Sequence, residues 1–388
     1  MKKYSSFLRL LAFEWRKNFL SPWLLIFTAA LLLLNGWKLT EEYSKKTEEF
    51  ASIDHIYEDF YAQWSGPITA EKIESLMTVY GPLEDFGSLS FVPGSGTYTD
   101  TEMGDHRFIF SNFYNEMKYD YLYVNQAIEI AQRAEALTDL RPEAAKEAEL
   151  FRGRSIPQFA DTRYIEVWLN HDYSAMLILL LSLFGLCTVF VTERETQMYM
   201  LQRTARNGGA ATAGAKLGAS VLYTILLCLL FFGEDYVILQ LLSGHWEALN
   251  SPVYAIRALE VAPLRMTIGG FVLWSWAVRT LGILGCGWLM LLASALMKRV
   301  LTAFGGGLAA VMAMVVLQEN CRTRVGLKWF DPMELVMVRE IVSDTNIVTI
   351  FGIPILLHHF VIAGVVLTIL ALTVLILRFQ PGQRERRR

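Results

Sequence analysis

Six apolar runs, each close to the length that crosses a bilayer as a helix, leave this chain little choice of architecture. They run roughly Phe19–Lys38, Tyr173–Val191, Leu217–Leu242, Ala277–Met297, Leu301–Leu317 and Ile353–Leu377. About 20 mainly apolar residues span a ~30 Å hydrocarbon core, and there a helix satisfies its own backbone hydrogen bonds. Over 388 residues the mean hydropathy is +0.33, with 53% hydrophobic and 19% charged residues, which excludes an ordinary soluble domain. The expected fold is an all-α polytopic membrane protein with six transmembrane helices. The first run follows a long charged leader, and no small-residue cleavage site follows Trp37, so it reads as a retained helix and not a signal peptide.

The net charge of −3 hides an asymmetry that sets the expected topology. Between Glu41 and Asp172 there are 25 acidic and 11 basic residues, leaving 13 acidic and 24 basic residues elsewhere. Lys and Arg near span ends mark the cytoplasmic side. Lys2, Lys3, Arg9, Arg16 and Lys17 precede the first run, and Arg194, Arg203, Arg206 and Lys216 follow the second. Lys298 and Arg299 follow the fourth, and Arg384, Arg386, Arg387 and Arg388 end the chain. Six spans with both termini in the cytoplasm satisfy all four clusters and place the acidic block outside. Tryptophans, which favour the interface, bracket most runs, and only Trp288 falls deep.

The segments between the runs divide the chain further. Residues 1–18 read as an amphipathic interfacial elbow helix, with Phe7, Leu8, Leu10, Leu11 and Phe13 apolar and the Lys and Arg residues facing headgroups. The first span covers 19–38, and an acidic extracellular domain covers 41–172. Apolar residues at Phe113, Met117, Tyr121, Val124 and Ile128 follow one helical face. Helix starts are expected near Ile68 and at Pro142, with a Gly/Pro/Ser-rich loop between Gly81 and Asp105. A five-helix transmembrane region covers 173–378, interrupted by a cytoplasmic loop at 193–216, and a basic tail covers 379–388. The stretch Pro263–Trp276 reads as too broken to span, so the fourth span is expected to begin near Ala277. That start puts Arg279 at the outer interface, its side chain snorkelling to water; a start at Ile268 would bury it.

Chemistry-bearing motifs are few. Gly209 to Lys216 resembles a phosphate loop only superficially, because Ala215 separates Gly214 from Lys216 and Leu217 follows where Ser or Thr is needed. No nucleotide, metal or other cofactor is expected on this chain. Cys187, Cys228, Cys286 and Cys321 lack CxxC spacing and read as buried apolar thiols. His358 and His359 are sequence neighbours on different helix faces, suited to helix–helix hydrogen bonding or to lining a path. Glu234 and Asp235 lie about 27 Å along the helix from Lys216, near the outer boundary. They read as interface residues or as an outer-mouth carboxylate pair for cationic cargo. Gly282, Gly285, Gly287, Gly305, Gly306 and Gly307 are expected to let spans four and five pack closely.

One segment carries a resemblance. The run DYSAMLILLLSLFGLCTVFVTERE, then LQRTARNGG and AKL, resembles the membrane subunits of ABC-type exporters of the ABC-2 permease family. The matching positions are Phe190, Glu193, Glu195, Leu201, Arg203, Thr204, Gly208, Ala215, Lys216 and Leu217, and the leader FEWRKNFLSP places Glu14 and Lys17 in the family's Glu-x-x-Lys elbow. The family's Gly-Thr after the acidic element is here Thr196-Gln197, and its Arg after the motif glycine is Gly209. The resemblance implies a bacterial plasma-membrane permease that is not itself an enzyme. Glu14, Lys17, Glu193, Glu195, Arg203, Arg206, Gly208 and Lys216 would meet a separate cytoplasmic ATPase, which would hold ATP and Mg. A second permease subunit, identical or paralogous, would complete the path, and Glu234, Asp235, Arg279, His358 and His359 are its candidate lining. Lipid is the expected surroundings and nucleic acid is not an expected partner. The competing reading is a non-transporting sensor or assembly protein whose extracellular domain binds a ligand or partner.

Overall fold

The computed structural model describes residues 2–48, 64–72, 74–75, 130–139, 141–200, 209–320, 329–342, 347–350 and 353–379. In chain order the elements are α1 (Lys2–Phe19), α2 (Pro22–Glu48), β1 (Gly66–Pro67), α3 (Pro142–Phe151), β2 (Gln158–Phe159), α4 (Arg163–Asn170), α5 (Tyr173–Leu186) and α6 (Val191–Glu195). There follow α7 (Ala210–Ser243), α8 (Ile268–Leu296), α9 (Val300–Asn320), α10 (Pro332–Val336), α11 (Val338–Val342), β3 (Ile347–Ile350), β4 (Ile353–Leu356) and α12 (Leu357–Phe379). Six helical stretches are long and apolar enough to cross a membrane. Successive spans reverse direction, so the bundle has one end carrying α1 and a far end carrying α3, α4 and the 3-10 turns between α7 and α8.

Local chemistry explains most breaks. The chain turns at Leu20–Ser21 because Ser21 Oγ accepts from Leu24 N at 3.3 Å and Pro22 stands where a helix has no use for an N–H. Gly209 has φ 84 and Gly244 φ 70, so glycine starts and ends α7 in left-handed backbone that other residues resist. At the far end Arg154 ties the segment after α3 to the 3-10 turns. It donates to the carbonyls of Leu150, Glu260 and Ala262 at 3.0, 3.1 and 2.7 Å, and it lies over the Phe151 and Tyr254 rings.

Three expectations are corrected. The fourth span begins at Ile268, because the break falls earlier: Thr267 caps the helix, its Oγ1 accepting from Gly270 N at 3.2 Å. Gly269 and Gly270 are therefore first-turn residues. The last span begins at Leu357, since Ile353–Leu356 pairs antiparallel with Ile347–Ile350 as a β-hairpin. Those β-branched stretches favour strand over helix. The third correction concerns the glycines. Gly282 and Gly285 make room for α10 and not α9; a Cβ on Gly282 would come 2.7 Å from the Pro332 carbonyl oxygen. Gly287 faces Leu186, Gly307 faces Cys187, and only Gly306 meets α8, near Ala293 and Met297. Gly305 has nothing within 4 Å.

The helix at Pro142 is present as α3, and Thr69 Oγ1 accepts from Lys72 N at 3.2 Å where a helix start was expected near Ile68. The apolar face between Phe113 and Ile128, the loop between Gly81 and Asp105, and the basic tail from 380 onward lie outside the described residues.

Candidate functional site

Two polar clusters stand out in an otherwise apolar bundle, one at each end. The first begins with α1, which lies along α7 where small residues leave a groove. Phe7 approaches Gly214, and a Cβ on Gly218 would come 2.8 Å from Leu11 Cδ1. At its end Phe19 stacks on Tyr223 with ring centroids 4.3 Å apart. This docking carries Glu14 and Lys17 to the end of α6.

There one carboxylate gathers three elements. Glu193, 4% exposed, accepts from Lys17 Nζ of α1 at 2.5 Å and pairs through its other oxygen with Lys216 of α7. Lys216 is buried; it also donates to the Val189 carbonyl at 3.2 Å and sits 5.0 Å from the Phe190 ring centroid. Glu14 is buried alongside, accepts from Asn18 Nδ2 at 3.0 Å and adds a second negative charge near Lys216. Two cations and two anions thus balance. Removing one partner would strand a charge in apolar surroundings, a change that costs about 3–5 kcal/mol in buried pairs.

The same short helix α6 also fastens the turn between the fourth and fifth spans. Arg194 donates to the carbonyls of Leu296 and Met297 at 3.0 and 2.9 Å, where α8 runs out of internal partners. Glu195 accepts from Val300 N at 3.0 Å at the start of α9. Ser294 Oγ accepts from Phe190 N and Val191 N at 3.0 and 3.2 Å. Four of the expected coupling residues, Glu14, Lys17, Glu193 and Lys216, therefore meet in one cluster, with Glu195 on the adjoining turn. Arg203, Arg206 and Gly208 lie outside the described residues. Sequence reasoning missed Ser294, and it took Arg194 only as a topology marker. A charged residue beside Glu193 and Glu195 was the available sign for Arg194, and nothing in the local pattern marked Ser294.

The far cluster corrects the expected positions of Asp235 and Arg279. Neither faces the interface: Asp235 is 0% exposed and Arg279 2%. Asn35 Nδ2 donates to Asp235 Oδ1 at 2.6 Å and to Glu234 Oε2 at 3.1 Å. His171, in the short link between α4 and α5, approaches Glu42 Oε2 at 2.6 Å and Asn35 Oδ1 at 3.3 Å through its two ring nitrogens. Arg279 Nη2 donates to Asp172 Oδ1 at 2.7 Å, with the guanidinium 5.7 and 5.8 Å from the Trp168 and Phe232 ring centroids. The burial of Arg279 follows from the earlier helix start, which draws it inside the bundle. Asn35, His171 and Asp172 were not singled out, although an Asn within an apolar run was a visible sign.

His358 and His359 stand apart from this cluster. His358 is buried with its ring edge-on to Trp274 at 5.9 Å, while His359 is exposed, although the two imidazole centroids are 4.2 Å apart. The expected helix–helix hydrogen bond is not formed at His358 Nδ1. Cys187, Cys228 and Cys286 are buried free thiols, as their spacing implied. No His/Cys/Asp/Glu group among the described residues has the arrangement of a metal site.

Fold and composition together define a multi-pass helical membrane protein by the length and apolarity of six helices. No family model, curated protein or solved structure matches the chain.

Proposed function

We propose that this chain is the permease subunit of a bacterial ABC exporter of the ABC-2 type, moving a peptide, lipid-like molecule, drug or ion across or out of the plasma membrane. The observation that carries this reading is Glu193, held between Lys17 of α1 and Lys216 of α7. One carboxylate makes the N-terminal helix and the ends of two spans a single mechanical unit. The α1 end also carries Arg194, Lys216, Lys298, Arg299 and Arg378, which fits a cytoplasmic face. The segment 41–172 is then extracellular, and α1 is an elbow helix in the inner interface.

On this reading a separate ATPase, holding ATP and Mg, docks on α1 and on the loop 193–216. Its closure displaces α1 and α6 together, because the ion cluster resists their separation. Packed helices pass on such a shift between discrete arrangements rather than by gradual bending. A second permease subunit completes the path. The test is copurification of the full chain from its native membrane. A Walker-motif ATPase is expected to accompany it and to be lost on charge reversal at Arg203 or Arg206, or on deletion of 196–210. A chain that purifies alone, with no neighbouring reading frame for an ATPase, overturns the proposal.

A further inference from the structure

Two side chains of the far cluster keep polar atoms that no protein group satisfies. Asp235 receives Asn35 on Oδ1, but its Oδ2 has no hydrogen-bond partner. Arg279 gives Nη2 to Asp172, while Nε and Nη1 have none. Both residues are more than nine-tenths buried. The Asp235 carboxylate lies close enough to act electrostatically on the Arg279 guanidinium, yet the two do not form an ion pair. Leaving a buried donor or acceptor unmatched costs about 1–3 kcal/mol, and native interiors seldom tolerate it.

The missing partner must accept from a guanidinium and donate to a carboxylate. A metal cation would be repelled by Arg279, and an anion by Asp235. A neutral group that both donates and accepts meets both demands. Water is the smallest such group, and an internal water makes two to four hydrogen bonds to groups of this kind. Nε, Nη1 and Oδ2 supply three. We infer that the seam between α7 and α8 contains an internal water-binding site, in which ordered water joins Asp235 to Arg279 beneath the Trp168 and Phe232 rings.

The water closes a hydrogen-bonded path through four spans. It runs from Glu42 through His171, Asn35 and Asp235 to the water, then through Arg279 to Asp172, touching α2, the α4–α5 link, α7 and α8. A water bridge exchanges one partner for another without baring a direct ion pair. The α7–α8 seam can therefore part more easily than one locked by carboxylate and guanidinium in contact. This inference concerns the far end alone and is independent of any ATPase.

Radiolytic hydroxyl labelling of the full chain in lipid nanodiscs tests it, because ordered internal water yields radicals where bulk solvent does not reach. Phe232 and Trp168, 1% and 4% exposed, are expected to be oxidised several-fold faster than the equally buried Phe190, at 2%. Asp235→Asn is expected to slow labelling of Phe232 while leaving Phe190 unchanged. Equal, slow labelling of Phe232 and Phe190 in the native chain overturns the inference. If Asp235→Asn does not fold, an experimental density map of the native chain decides. A solvent peak within hydrogen-bonding distance of Asp235 Oδ2 and Arg279 Nη1 supports the site, and a direct carboxylate–guanidinium contact overturns it.

Discussion

The two ends of the bundle hold charge in opposite ways. At the α1 end, Glu193 meets two ammonium groups directly, and the four buried charges cancel within a few side chains. At the far end, neutral or switchable groups stand between the charges: Asn35 links Glu234 and Asp235, and His171 links Asn35 to Glu42. Direct pairing fixes α1, α6 and α7 to one another. The mediated network spreads over α2, α4, α5, α7 and α8, so each link is weaker and more readily exchanged. The α1 end suits transmission of force, and the far end suits rearrangement.

The largest effect that would break this contrast is Glu193→Gln. It leaves Lys216 buried beside a neutral amide, and a loss of about 3–5 kcal/mol is expected, read as a lowered unfolding midpoint in mixed micelles. Asn35→Ala removes the shared donor to Glu234 and Asp235 and is expected to cost less, about 1–3 kcal/mol. If Asn35→Ala proved as damaging as Glu193→Gln, the two ends would not differ as described.

Asp331 sharpens the far end through pH. Burial pushes its carboxyl above the ordinary range, and the bond accepted from Met333 N lowers it by less. The folded chain therefore binds this proton more tightly than the unfolded chain does. Stability falls as pH rises from the ordinary carboxylate range through the folded value. Asp331→Asn keeps a capping oxygen and removes the charge. It is expected to be more stable than the native chain at pH 8, with the difference closing below about pH 4. The smallest effect is at the α1 end: Gln197 has φ 56, left-handed backbone for a non-glycine residue. Gln197→Gly is expected to add about 1 kcal/mol, measured in the same unfolding assay.

The six spans were legible because length and apolarity act locally along the chain. Arg279 was misplaced for a reason equally local. Gly269-Gly270 and Pro263 read as breakers, whereas Thr267, as an N-cap, made the glycines tolerable in a first turn. The hairpin before α12 had a strand signal in Ile347–Ile350 and Ile353–Leu356, masked by the apolar run it joins. The residue types at Glu14, Lys17, Glu193 and Lys216 were legible through a resemblance, but their meeting was not. Lys17 and Glu193 are 176 residues apart, and His171 and Asn35 are 136 apart. Such contacts depend on how helices pack, which no local pattern encodes.

The turn at Leu20–Ser21 gives α1 a fulcrum. Its 18 residues extend about 27 Å, and its ionic and aromatic anchors, Lys17 and Phe19, lie at the end beside the turn. A tilt of about 10° there would carry the Lys2 end through about 5 Å. The arrangement is a long arm with its bearing at one end, so a push on the arm reaches the Glu193 joint as a shorter, stronger displacement.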